Sequence, residues 1–289
     1  MLTATSSAVD DEDIPPAVAR RKAKRARRNL RESGLVMGLR LLVVVVVLVL
    51  WQVMSGPVLP EYAVSRPTDV AQAVWDLLTS AEGWTNIETT TVEVAAGFVI
   101  GVAIGSVMGV LLGTFPLAGR VLEPLAAALN GIPKIAVAPL FVLFFGLGEW
   151  SKIAIAVTGV AFIMFYNLYL GLRMVDRELT EIIRVMGGRS RHVLSYVTLP
   201  TLAPPFFAGL KAGGPLAILG VIGGEFIASF NGLGHLLFTD AMALNSSGVF
   251  AGLIVLMAMS LILNSILTQL DKFVLRRLGL GDRVAQAQA

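Results

Sequence analysis

The sequence has no cysteine, so neither a disulfide framework nor a thiolate metal centre is available to it. Histidine is almost as scarce. His192 and His235 stand far apart, with no spacing suited to a metal ion. Charge is short too: Asp, Glu, Lys and Arg make up 15% of the 289 residues, where a soluble domain carries about a quarter. No G-x-x-x-x-G-K-[ST] segment occurs, so the chain cannot cradle nucleotide through such a loop. Carboxylates and histidines nowhere cluster at catalytic spacing, which argues against an enzyme. What fills the chain is hydrocarbon. Hydrophobic residues reach 55% and the mean hydropathy is +0.76. The class that follows is an all-α polytopic membrane protein.

Six apolar stretches approach the ~20 residues that a hydrocarbon core of ~30 Å demands. They run roughly over 35–54, 89–113, 121–146, 152–172, 204–228 and 248–270. The first, "GLRLLVVVVVLVLWQVM", reads as a retained span. A targeting segment is the alternative, but the basic region ahead of it is longer than such signals carry. Residues 1–33 begin with "DDED" and turn basic in "RRKAKRARRNLR", the composition of a disordered tail. Lys/Arg placement then orients the chain. The loop 55–88 has only Arg66 against Glu61, Asp69, Asp76, Glu82 and Glu88. Basic residues gather instead in the N-terminal tail, in 173–191, and at Lys272, Arg276 and Arg277. All of these fall on one face, which is therefore cytoplasmic, with both termini. Four segments result: a cytoplasmic tail (1–33), a first helix with an extracytoplasmic loop (34–88), the remaining spans (89–271), and a C-terminal cytoplasmic tail (272–289).

Inside the spans a few residues stand out. Gly97, Gly101, Gly105, Gly109 and Gly113 form a four-residue repeat that leaves a groove for another helix backbone. The preferred partner is a helix of the same chain; a second copy is the alternative. The third span holds Pro124, Pro133 and Pro139, so its hydrogen-bond ladder is interrupted. Interrupted helices persist at membrane depth where they line a cavity or are buried in protein. Lys134 sits at that break, where an unpaired ammonium costs at least ~2.5 kcal/mol. It reads as an anion-attracting site, as one half of a pair with a carboxylate, or as a purely structural lysine. Glu225, near the end of the fifth span, is its candidate partner or a gating residue at the outer mouth. Asn130 and Asn167 serve a pathway or bond between helices. Lys211 reads as a snorkelling lysine.

The segment 176–200 is polar, basic and broken by two glycines. "RELTEIIRVM" places Leu179, Ile182, Ile183 and Met186 on one helical stripe, with Glu178, Glu181 and Arg184 opposite. Gly187 and Gly188 permit a sharp turn. Ser190 is positioned to cap a second short helix, and Pro200 to stop it or to set the entry angle of span five. An interfacial helix pair resting on lipid headgroups fits this pattern equally well.

The spacing within this segment resembles the cytoplasmic signature of ABC importer permeases: Glu-Ala-Ala, three residues, Gly, nine residues, Ile, one residue, Leu-Pro. Here Glu181-Ile182-Ile183 is followed at those intervals by Gly187, Val197 and Leu199-Pro200. The two alanines are replaced by isoleucines, which alters the fit to a partner but not the register. "IPKIAVAPLFVLFFGLGEWSKIAI" (132–155) and "GGEFIASFNGLGHLL" (223–237) are similar to permeases of the nitrate/sulfonate/taurine type. The similarity covers roughly 60–275 and leaves the basic tail out.

That resemblance implies a type I importer (MetI-like) architecture in a bacterial plasma membrane. A second permease copy, giving a homodimer, would complete the path. Two separate ATPase subunits would bind ATP and Mg, so this chain needs no cofactor. An extracytoplasmic solute-binding protein would deliver a small solute, sulfonate-, taurine- or nitrate-like, and Lys134 tilts the expectation towards an anion. The 181–200 loop would be the coupling element. Glu181 would contact the ATPase or hold the loop's own arginines, Gly187 and Gly188 would make the turn, and Leu199-Pro200 would carry motion into span five. Asn130, Pro133, Lys134 and Glu225 would be pathway or gate residues. An ATP-independent secondary transporter or channel is the alternative, with Lys134 and Glu225 as coupling charges, though no internal repeat supports it. A nucleic-acid-reading helix-turn-helix fails, because spans clamp the segment on both sides.

Overall fold

The computed structural model describes residues 16–58 and 60–278. The acidic start of the N-terminal tail, and the C-terminal tail beyond Leu278, lie outside the described residues. The chain divides into two units, residues 1–60 and 61–289.

The first unit is one helix, α1 (Pro16–Met54). Its apolar window, Leu35–Met54, is long enough to span a bilayer. The helix begins well before that window, so residues 16–33 are helical where their composition suggested disorder. The reason is local. Ala, Arg, Lys and Leu are strong helix formers, and extending an existing helix avoids the cost of nucleating a new one.

Among the described residues of the second unit every regular element is helical: α2 (Pro67–Thr79), α3 (Ala81–Thr114), α4 (Pro116–Asn130), a 3₁₀ turn (Lys134–Val137), α5 (Ala138–Phe145), α6 (Glu149–Arg173), α7 (Arg177–Val185), α8 (Ser190–Val193), α9 (Leu199–Ala228), α10 (Leu233–Met242) and α11 (Ser246–Arg277). Over the described residues five helices are long and apolar enough to cross a membrane, or six when the bent pair α4–α5 counts as one span. That pair, Leu117–Asn130 and Lys134–Phe145, is bent by 87° at the Gly131–Pro133 break, as the prolines of span three predicted. Two elements carried no such signal. Helix α2 opens on Pro67, buries Val70 and Leu77, and packs on α3 and α11. Helix α10 fills the corner between α9 and α11.

The core is built round α6, whose Ile155, Ala156, Val160, Met164, Phe165, Leu168 and Tyr169 are buried. The glycine stripe of α3 lies against it. Gly97 faces Ala156, Gly101 faces Val160, Gly105 faces Ala161 and Met164, Gly109 faces Leu168, and Gly113 faces Leu172. A Cβ at position 105 would stand 2.3 Å from the Ala161 carbonyl oxygen, so the backbones are in direct contact there. Lipid offers no hydrophobic drive for helix pairing, and close packing of small residues supplies it instead. The stripe therefore packs within the chain. From α9, Gly220 makes the same close approach to Ala156.

The packing leaves α3, α6 and α11 parallel to one another and α9 antiparallel to all three. The C-termini of α3, α6 and α11 share one end with α7, α8 and the start of α9, and that end is rich in arginine. The opposite end holds α2, α10 and the N-termini of α3, α6 and α11.

Candidate coupling loop and pathway

At the arginine-rich end, Asp176 caps α7, its carboxylate accepting from the backbone of Glu178 at 2.8 Å. Helix α7 closes in a two-bond turn: Gly188 N–H donates to the Ile183 carbonyl at 2.8 Å, and Gly187 N–H to the Arg184 carbonyl at 3.0 Å. This is a Schellman motif, and it requires the left-handed conformation at Gly187, whose φ is +79°. Gly188 is fixed by space, because a Cβ there would lie 2.5 Å from Ile183 Cγ2. No residue of α7 is buried. Leu179, Ile182, Val185 and Met186 are exposed, with Val185 at 88%. Glu181 is exposed as well, and among the described residues none of the loop's arginines pairs with it.

Pro200 neither stops nor breaks the chain here. Residues 190–228 run on as one helical segment. A single π turn, Leu194–Thr198, precedes the proline. Pro200 has no N–H to continue the ladder, and the wider turn relieves its ring from the preceding carbonyls. Leu199 is exposed, whereas Val197 is buried.

The second feature is the break in the third span. Asn130, Pro133 and Lys134 come together there, lining a cleft of about 360 Å³ with Gly159, Ile163, Tyr166 and Leu216. Among the described residues Lys134 pairs with no carboxylate. Its ammonium donates to the carbonyls of Leu129 (3.1 Å), Asn130 (3.0 Å) and Ile132 (3.2 Å) and lies 4.5 Å from the centre of the Phe162 ring. Leu129 and Asn130 end α4 and Ile132 follows it; the Leu129 carbonyl also accepts from Ile132 N–H at 3.3 Å. The lysine therefore caps a helix C-terminus, where a cation is favoured, and its three protons are spent. The Asn130 backbone, not its side chain, is what the lysine uses.

Glu225 is elsewhere, at the opposite end, and is 1% exposed. Its carboxylate accepts from Thr90 Oγ1 at 2.7 Å and from Gly234 N–H at 2.5 Å. Thr90 Oγ1 in turn accepts from Leu233 N–H at 2.8 Å, and Asn86 Oδ1 from Gly232 N–H at 2.7 Å. Together they satisfy the free amides at the start of α10, with a negative charge at the positive end of the helix. The pairing of Lys134 with Glu225 is thus replaced by two separate arrangements.

Beside Glu225 lies a pair that was not singled out from the sequence. Lys152 of α6 forms an ion pair with Glu93 of α3, both fully enclosed by the helices. The same ammonium donates to Ser229 Oγ at 2.9 Å, tying in the turn after α9. The signal that marks these residues is an ionisable group inside an apolar span, which demands a partner. Lys211 shows the same rule. It pairs with Asp271 of α11, both side chains partly covered by the helices. Asn167 bonds its own helix, donating to the Ile163 carbonyl at 2.8 Å.

No group of three or more His, Asp or Glu that could hold a metal ion occurs among the described residues. The chemistry on offer is recognition and movement: an exposed amphipathic turn at one end, a capped break in the middle, and a locked polar knot at the other end.

Known proteins agree with that inventory. Residues 101–276 match the family described as "Binding-protein-dependent transport system inner membrane component". SsuC of Bacillus subtilis (strain 168), a transport permease protein provisionally assigned to aliphatic sulfonates, is 28% identical over 88% of this chain and 92% of its own. The riboflavin transport system permease protein RibX of Chloroflexus aurantiacus is 32% identical over 79% of this chain and 86% of its own. Among solved structures, an inward-facing conformation of the MetNI methionine ABC transporter matches with a TM-score of 0.52 at 19% identity, covering 72% of this chain and 97% of that one. That last likeness concerns the fold. The match over most of the apolar helices settles the assignment: the chain belongs to the binding-protein-dependent transport system inner membrane components and is a multi-pass ABC transporter permease.

Proposed function

We propose that this permease forms the translocation path of an ATP-driven importer and docks separate ATPase subunits through residues 181–200. The observation that carries the reading is the turn at Gly187. A signature spacing, a left-handed glycine and a helix with no buried residue coincide at the arginine-rich end. Positive charge of that kind marks the cytoplasmic face, with both termini on it. Glu181 faces out without an arginine partner and is free to make an ionic contact with another protein. The partners are two ATPase subunits binding ATP and Mg, a second permease copy, and an extracytoplasmic binding protein delivering the solute. The cytoplasmic tails, the loop 55–88 and the spans 89–271 take the places described from the sequence.

The solute is a small molecule, and the assignment of SsuC favours a sulfonate-like anion. RibX is named for riboflavin, so the family accommodates other classes. Lys134 adds no weight to an anion, because carbonyls already occupy its protons. The cleft at Asn130, Pro133 and Lys134 is the proposed pathway wall. Glu225 holds the outer end closed through the start of α10.

The test is co-purification with the cognate ATPase from a membrane expressing both. Glu181→Arg and Gly187→Arg are expected to abolish association and import. Undiminished association and transport in both variants would sink the docking assignment.

A further inference from the structure

Helix α6 packs on α3, on α9, on α5 and the 3₁₀ turn, and through side chains on α4, and it holds them in different ways. Toward α3 and α9 it makes backbone-to-backbone contacts at glycines, which leave no slack. Its remaining stripe carries Phe162, Tyr166, Tyr169 and Arg173, spaced by four, three and four residues and so on one face. Against this stripe lies α4, of which, among the described residues, only Gly119 and Ala126 are buried. Ala126 packs in a small apolar cluster with Phe165 and Tyr169, and polar straps add to that hold. The Tyr169 hydroxyl donates to Glu123 Oε2 at 2.7 Å. Arg173 Nη1 stands 3.5 Å from the same oxygen, and the guanidinium stacks 4.6 Å from the centre of the Tyr169 ring. At the far end of α4, Lys134 caps the helix and covers Phe162.

Position in the chain gives these straps a direction. Arg173 is the last residue of α6, and α7 opens at Arg177. Whatever tilts α7 therefore pulls first on the group that clamps Glu123. Glu123 and Arg173 are both partly exposed, at 38% and 46%, so their attraction is screened and the clamp is weak enough to open and re-form. Tyr169 is wholly buried and stays in place.

We propose that Glu123, Tyr169 and Arg173 form a latch that transmits motion of the 176–200 loop to α4, and through α4 to the cleft at Asn130–Lys134. This rests on the loop being the ATPase-docking element. The three are positioning residues: they touch no solute. When Arg173 withdraws, Glu123 keeps only the tyrosine hydroxyl, and α4 swings about its capped end.

The test uses the complete transporter in proteoliposomes, reading ATP hydrolysis, import and the maleimide labelling rate of Ile132→Cys with and without ATP. Ile132 lines the cleft and is 45% exposed, and the chain has no cysteine of its own to interfere. Glu123→Gln and Arg173→Gln are expected to co-purify with the ATPase and retain hydrolysis. Import falls by about fivefold or more, and the nucleotide-dependent change in labelling disappears. Arg173→Lys, which keeps the charge, retains more import than Arg173→Gln. Tyr169→Phe, which loses a single hydroxyl, shows the same uncoupling and serves where the charge variants fail to fold. Unchanged import and nucleotide-dependent labelling in these variants, with Glu181→Arg still abolishing association, overturns the latch alone. If Glu181→Arg also leaves association and import intact, the reading of the loop beneath it fails instead.

Discussion

Replacing Lys152 by methionine keeps most of the side-chain volume and removes only the ammonium. Its partner Glu93 is 1% exposed and Lys152 itself 5% exposed, so no water reaches the carboxylate left behind. Breaking one side of a buried pair costs about 3–5 kcal/mol, because an uncompensated charge remains inside. In a chain of this size each kcal/mol moves the melting temperature by about 2–4 °C, which puts Lys152→Met about 6–20 °C below the parent. The double variant Glu93→Leu/Lys152→Met removes both charges, and well-packed apolar replacements of an ion pair are close to neutral. What it still loses is the bond from Lys152 to Ser229, worth about 0.5–1.5 kcal/mol. The double variant therefore melts well above the single one. Tryptophan fluorescence or size-exclusion recovery after heating detergent-solubilised protein reads all three. A single variant within about 2 °C of the parent, or a double variant less stable than the single, refutes the reasoning.

Three further outcomes follow from the packing. Gly105→Ala forces a Cβ to 2.3 Å from the Ala161 carbonyl and is expected to cost about 1–3 kcal/mol, whereas Gly148→Ala, with open space around it, stays within about 0.5 kcal/mol of the parent; thermal melting compares the two. Glu225→Gln turns an NH₂ toward either Thr90 or Gly234, costs about 1–3 kcal/mol, and speeds amide exchange at Leu233 and Gly234 by mass spectrometry. Lys134→Met removes the ammonium donor from the carbonyls of Leu129, Asn130 and Ile132 and is expected to lower the import rate without changing the KM for solute; a KM effect alone would restore the anion-binding reading.

The spans were legible because an apolar run of ~20 residues matches the thickness of a hydrocarbon core, and the broken third span was legible because proline cannot continue a helix ladder. The 181–200 turn was legible from spacing, down to the left-handed Gly187. Helices α2 and α10 were not, being too short to announce themselves by hydropathy. The Lys134 cap escaped because its partners are backbone carbonyls, which look the same at every residue. Glu93 and Lys152 are each visible as charges in or beside a span, but nothing in a linear pattern says which charge will face which. Of the two readings of Pro200, the stop failed for a related reason. The penalty of a proline is local, and a single π turn before it is a remedy that the residue types do not reveal.

The buried pair also has a history in time. Glu93 arrives with the second apolar span, but Lys152 is made only after the broken third span has followed. With synthesis at ~5–20 residues per second, the carboxylate waits several seconds for its cation. During that interval α3 must hold its outer turns where water can still reach Glu93, or carry the carboxyl protonated. Its threonine-rich beginning, with Thr85, Thr89 and Thr91 bonded back to their own helix, lets the segment tolerate either setting. The contact that this pair makes between α3 and α6 therefore forms only after the broken third span has been made.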